Sequence, residues 1–266
     1  MSLYDREIKT YNRTMNSFTK LQQFRSLIGT DISEEDSKRI WGKTFPQMKR
    51  KRYNTNVTKK IKIAQDNISE LLLGNLVKFI GISGSVGSCF AKEDDDIDVF
   101  VVVRNGSMWI YRGIIVFRNI FHNKIRAKRH TNVKDKLCLN LIAEERGLSF
   151  DSDIFNFNEL VYLKPIYNPG YLNYIYSKNR WLVEKYDIKE DLLFTKIKSQ
   201  KRVSLIVRIM NTILYYLQLL FMQLSGHRPD FVRLSENAKK GRIEFFPKTF
   251  KRRKIRNYLK EFKSIN

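Results

Sequence analysis

Five apolar residues set the first rhythm of the chain. Val57, Ile61, Ala64, Ile68 and Leu71 recur at helical spacing, and a stripe of that period predicts a helix over 57–73. Lys59, Lys60, Lys62, Asp66 and Glu70 take its other faces, and Gly74 fits its C-terminal stop. The rhythm then changes. Phe79-Ile80-Gly81-Ile82 and Val99-Phe100-Val101-Val102-Val103 are short continuous apolar runs, which read as buried strands. Between them lie Gly84-Ser85-Val86-Gly87-Ser88, a glycine turn opening a short helix, and an acidic loop ending in Asp96-Ile97-Asp98. Arg104-Asn105-Gly106-Ser107 is a turn by composition. Met108 to Tyr111 reads as a short strand, 113–128 as a helix, and Lys136 to Ala143 as the next strand.

Further on, a helix capped by Ser152 or Asp153 leads to Leu163. Lys164-Pro165-Ile166-Tyr167-Asn168-Pro169-Gly170 is the clearest break, and the domain boundary is expected there. Tyr171 to Tyr186 then reads as a helix whose aromatic residues are core. Residues 203–224 are the most apolar segment. Ser204, Arg208, Asn211, Tyr215 and Gln218 draw one polar stripe along it, which suits a helix buried in a bundle. A membrane-spanning reading is disfavoured, because Arg208 at a bilayer centre costs roughly 2.5–3.5 kcal/mol even on the lenient scale. Arg242 to Pro247 precede a terminal helix with an apolar face of Ile255, Tyr258, Leu259 and Phe262.

Composition adds a partner class. The 266 residues are 42% hydrophobic, enough for a real core, and carry a net charge of +23. That excess attracts polyanions, nucleic acid first and anionic membrane second, although lysine-favouring codon usage supplies part of it. The basic arm of residues 1–55 and the cationic face around Arg252, Arg253, Lys254 and Arg256 are the expected RNA contacts. Cys89 and Cys138 stand far apart in no metal spacing and read as buried free thiols of a reduced compartment. The three histidines form no metal signature. Met1 to Thr10 are polar and charged, so no secretory signal is expected and the cytoplasm is the expected location.

The chemistry concentrates at the glycine turn and the acidic loop. Residues two apart on a strand face one side, so Asp96 and Asp98 present two carboxylates together while Ile97 and Val99 enter the core. Adjacent carboxylates repel unless a cation lies between them, and hard oxygen ligands suit magnesium. Neither a P-loop nor a dinucleotide fingerprint fits: no Gly-Lys-Ser/Thr closes the turn, and Gly81, Gly84 and Gly87 lie three apart.

Gly84-Ser85, ten residues, then Asp96-Ile97-Asp98 between two apolar runs resembles the nucleotidyltransferase superfamily typified by DNA polymerase beta. The resemblance covers residues 56 to 145; over its full length the chain looks like nucleotidyltransferase-domain proteins with a helical C-terminal half. It implies an α+β fold, a mixed sheet flanked by helices, followed by a helical C-terminal domain. The expected units are a partly helical arm over 1–55, the nucleotidyltransferase domain over 56–165 and the helical domain over 166–266. It implies that Gly84, Ser85 and Ser88 hold a nucleoside triphosphate, ATP foremost, and that Asp96 and Asp98 are catalytic and bind Mg2+ or Mn2+. The expected activity is transfer of a nucleoside monophosphate to an acceptor hydroxyl, on RNA such as tRNA. A small-molecule acceptor and a non-catalytic nucleotide- or RNA-binding protein, with a protein partner, are the alternatives. The family places a third carboxylate on the next strand, where Asn140 is expected to stand here. Asp135, Glu144 and Asp153 are candidate substitutes.

Overall fold

Strand β1 (Val77–Ile82) is buried along its whole length, and β2 (Ile97–Val103) nearly so. Both faces of the sheet are therefore covered. The computed structural model describes residues 55–87, 91–126, 132–152, 154–182, 203–224, 231–244 and 249. The expected arm over 1–55, apart from its last residue, the terminal helix with Arg252, Arg253, Lys254 and Arg256, and Ser88, Cys89 and Asp153 lie outside them. The fold is α+β, with a five-stranded mixed open sheet in the order β4-β1-β2-β3-β5. Here β3 is Leu137–Glu144, β4 is Lys164–Tyr167 and β5 is Arg242–Glu244. β2 and β3 run parallel; the other neighbours are antiparallel.

Alternation along β2 builds two cores. Ile97, Val99, Val101 and Val103 join Ile80, Ile82 and Val57 on one face. That face is packed by α1 (Thr55–Asp66) and α3 (Met108–His122). On the other face Phe79 and Phe100 meet edge to face at 6.2 Å, and Tyr171 and Phe150 extend the aromatic layer. Aromatic pairs add about 0.5–1.5 kcal/mol each beyond area burial. Of the aromatics read as core, Tyr171 is buried while Tyr174 and Trp181 are half-buried, and the helix expected over Tyr171 to Tyr186 ends at Ser177.

Four expectations are corrected. α1 ends at Asp66: Asn67 makes the last i to i−4 bond, from its backbone N–H to Ile63 O (3.0 Å), and its side-chain amide donates to the same oxygen (2.8 Å); Ile68–Glu70 continue as a 3-10 turn. Lys60, placed above on a solvent face, is 1% exposed. Met108 to Tyr111 is the first turn of α3, not a strand. Lys164–Tyr167, read as a break, pairs with β1 as an edge strand. The sheet thus takes strands from both sides of the expected boundary.

Asn211 explains the third correction. Its Oδ1 accepts from Trp109 N (2.8 Å) and Ile110 N (3.3 Å), and the Glu144 carboxylate accepts from Met108 N (3.4 Å). The free donors of the α3 first turn are thus met by tertiary partners that no local pattern reveals. α3 stops at Asn123, in the left-handed region at φ 52°. Asn211 belongs to α6 (Leu205–Leu224), whose polar stripe faces α3: Gln218 donates to Trp109 O at 2.9 Å and also accepts from Arg112. Among the described residues its apolar side turns outward, with Ile206 73% and Leu224 78% exposed. This inverts the buried-bundle reading. No helix among the described residues is long and apolar enough to cross a membrane. Removing the borrowed cap with Asn211→Ala should cost about 1 kcal/mol, read as a lower urea midpoint with an unchanged slope.

Candidate functional site

Gly84 opens α2 (Gly84–Gly87) at φ +60°. A Cβ built there would lie 2.1 Å from Asp98 Oδ2. Only glycine combines that backbone region with such closeness, so the turn and the Asp98 carboxylate lie against each other. The backbone continues the pairing, since Ser83 N donates to Asp98 O at 2.9 Å. The expected partners Gly84, Ser85, Asp96 and Asp98 all fall at this end of the sheet.

The acidic loop is held from below. Lys60 Nζ donates to Glu93 O (3.0 Å), Asp95 O (2.5 Å) and Asp135 Oδ1 (2.8 Å), using all three of its protons. This fixes the residue before Asp96. Asp135, offered above as a substitute ligand, is taken up here: the Lys60 and Lys59 ammoniums hold its pKa down against the opposing effect of burial. Glu144 is likewise committed. It is buried at the far end of β3, accepting from Gly106 N at 2.9 Å and Arg146 Nε at 2.8 Å.

The register of β3 changes the third position. Cys138, not Asn140, lies opposite Asp98. Between Val99 and Phe100 the pairing skips from Leu139 to Leu141, so Asn140 is the extra residue of a bulge. Cys138 Sγ and one oxygen each from Asp96 and Asp98 lie within 4.8 Å of one another. The expectation of a buried thiol is therefore corrected: Cys138 is free but only partly buried, and it faces two carboxylates. Burial first, then the charges of Asp98 and Asp96, push its thiol well above the usual range.

The carboxylates are strained electrostatically. Burial, reinforced by the charges of Asp96 and Glu159, pushes Asp98 up to about 7. Arg126 Nη1 donates to Asp96 Oδ2 at 2.5 Å, a contact that raises the guanidinium pKa. A strand-like bridge delivers Arg126. Asn119 brackets Ile125 through both its backbone N and O, Ile125 bridges to Leu137, and Arg126 N donates to Leu137 O.

A divalent cation fits this donor set. Two carboxylates and a thiol converge, and the lack of a side chain at Gly84 is what lets the Asp98 carboxylate lie against the turn. The Ser83 hydroxyl, 2% exposed and opposite Asp98, has no hydrogen-bond partner among the described residues. It lines a recess with the apolar Phe100, Leu141, Phe150 and Phe155 and the polar Asn156 and Glu159; Asp96, Asp98 and Cys138 are not part of that lining.

Sequence reasoning missed Cys138, Ser83, Glu159 and the particular role of Arg126. Lys60 was misread as well, although it lies three residues after Val57 and four before Ala64, a spacing that puts it on the apolar stripe. Compared with family models, curated proteins and solved structures, the chain matches none.

Proposed function

We propose that the chain is a metal-dependent nucleotidyltransferase acting on an RNA hydroxyl. The observation that carries the reading is the convergence of Asp96 and Asp98 beside the Gly84 turn. Asp96 and Asp98 would hold the cation. When bound, it lowers the pKa of the attacking hydroxyl and offsets charge on the reacting phosphate. Gly84 and Ser85 bound the space for the triphosphate, and Ser83 offers it a donor. Arg126, already at the edge of the acidic pair, is placed to meet a phosphate oxygen. The acceptor oxygen bonds to the α-phosphorus as the bond to the bridging oxygen breaks and pyrophosphate leaves. The net charge of +23 supports a polyanionic acceptor.

Cys138 in place of a third carboxylate favours one second reading, a nucleotide- or RNA-binding protein without the chemistry. The test is pyrophosphate release from each NTP with Mg2+ or Mn2+, with and without RNA. Release should depend on RNA and disappear in Asp96→Asn. Full release in that variant would sink the proposal.

A further inference from the structure

Three positions on one face of the sheet end fix the character of the site. Asp98 and Cys138 pair directly across parallel strands, so their side chains leave on the same face. Asp96, two residues before Asp98, shares it. The bulge at Asn140 makes this happen. Without the skip between Leu139 and Leu141, the rest of β3 would keep one parity with β2. The bulge removes the amide from the register and leaves the sulfur in it. A cysteine that served packing alone would neighbour apolar side chains. This one has two carboxylates within 4.8 Å. The neighbouring Ser83, whose backbone N–H donates to Asp98 O at 2.9 Å, ties the strand before the glycine turn to this group.

Sulfur changes which cation such a set prefers. Mg2+ demands near-octahedral oxygen coordination and gives up water reluctantly. Thiolates select softer and borderline ions, and affinity rises through Mn2+ and Co2+ toward Zn2+. We propose that Cys138 Sγ is a direct metal ligand, which makes this site select thiophilic divalent cations such as Zn2+, Co2+ and Cd2+ over Mg2+. The inference rests on the reading that Asp96 and Asp98 hold a cation. Binding replaces the S–H bond by a sulfur–metal bond, and the thiol proton leaves to the buffer.

The experiment is titration of the metal-free full-length chain with Cd2+ and Co2+, read by thiolate-to-metal charge-transfer absorption. One thiolate per chain should ligate. Cys138→Ser should abolish the band and weaken Cd2+ binding by about tenfold or more. Cys89→Ser, which removes the other cysteine, should leave both unchanged. Cys138→Asp should restore a Mg2+ preference, read by competition against Cd2+, and far-UV circular dichroism confirms that each variant is folded. A band that survives Cys138→Ser, or no band at all, overturns the inference. The two readings fail separately. A Cys138-dependent band with no pyrophosphate release under any cation leaves the ligand assignment standing and removes the transferase. Mg2+-supported release that is unchanged in Cys138→Ser, with no band, does the reverse.

Discussion

Asp98→Asn should stabilise the metal-free protein at neutral pH and, under the proposed transferase reading, abolish transfer. Burial and the Asp96 charge lift the folded-state pKa of Asp98 to about 7, from an ordinary value of 3.8. Between those values the folded chain holds a proton that the unfolded chain has released. Stability therefore falls as pH rises from 3.8 to about 7, and is level above. A shift of that size corresponds to about 4 kcal/mol at most. Asparagine does not ionise, so the variant lacks this slope. Thermal melts in chelator across that window should show the wild type losing on the order of 5–10 °C relative to the variant. The activity moves the other way. A metal site supplies several kcal/mol to the transition state, so losing one of its two carboxylates should cost about a thousandfold or more in pyrophosphate release. A slope that persists in the variant would show that another group carries it.

Lys60→Met should loosen the acidic loop and unsettle the whole domain. The ammonium is 1% exposed and serves two carbonyls and the Asp135 carboxylate. Removing one member of a buried ion pair costs about 3–5 kcal/mol, because the other is left uncompensated. Lys59, 3.4 Å from the second Asp135 oxygen but 58% exposed, recovers little. Asp95, one residue from Asp96, loses its shortest bond and keeps the longer one from Asp135 N to its carbonyl (3.2 Å) and that from Lys92 N to its carboxylate (2.9 Å). Displacement of a positioned group by about an ångström costs around a hundredfold in rate. Lys60→Arg should not rescue it, since a planar guanidinium cannot reproduce three converging donors. Urea titration reads the stability and hydrogen exchange over 91–97 reads the loop. A fall in activity with unchanged exchange there would refute the tethering role.

The legible parts of this fold are those where one local period decides. β1, β2 and β3 followed from apolar runs bounded by turns, and the side-by-side placement of Asp96 and Asp98 followed from strand parity. The illegible parts depend on contacts made across the chain. Met108 to Tyr111 carries apolar and aromatic residues suited to a strand, yet forms a helical turn because Asn211 and Glu144 satisfy its donors. The third position of the site was misread for a similar reason. A count along β3 from the family pattern reaches Asn140, and only the pairing with β2 reveals the bulge that puts Cys138 there. α6 shows the converse. Its polar stripe was legible, but not which side the domain would claim, because a stripe gives the face and not the partner.

The order of the strands also sets a timetable for synthesis. β3 is made early, but its outer neighbour β5 comes from residues 242–244. Roughly a hundred residues separate them, which at about 5–20 residues per second is on the order of 5–20 s of translation. Throughout that interval the backbone of Leu141, Ile142 and Ala143 presents an open edge to any other nascent chain. The last of the described strands to leave the ribosome is the one that closes it. A chain stopped at the apparent boundary near residue 165 would keep Asp96, Asp98 and Cys138 and never acquire that closure.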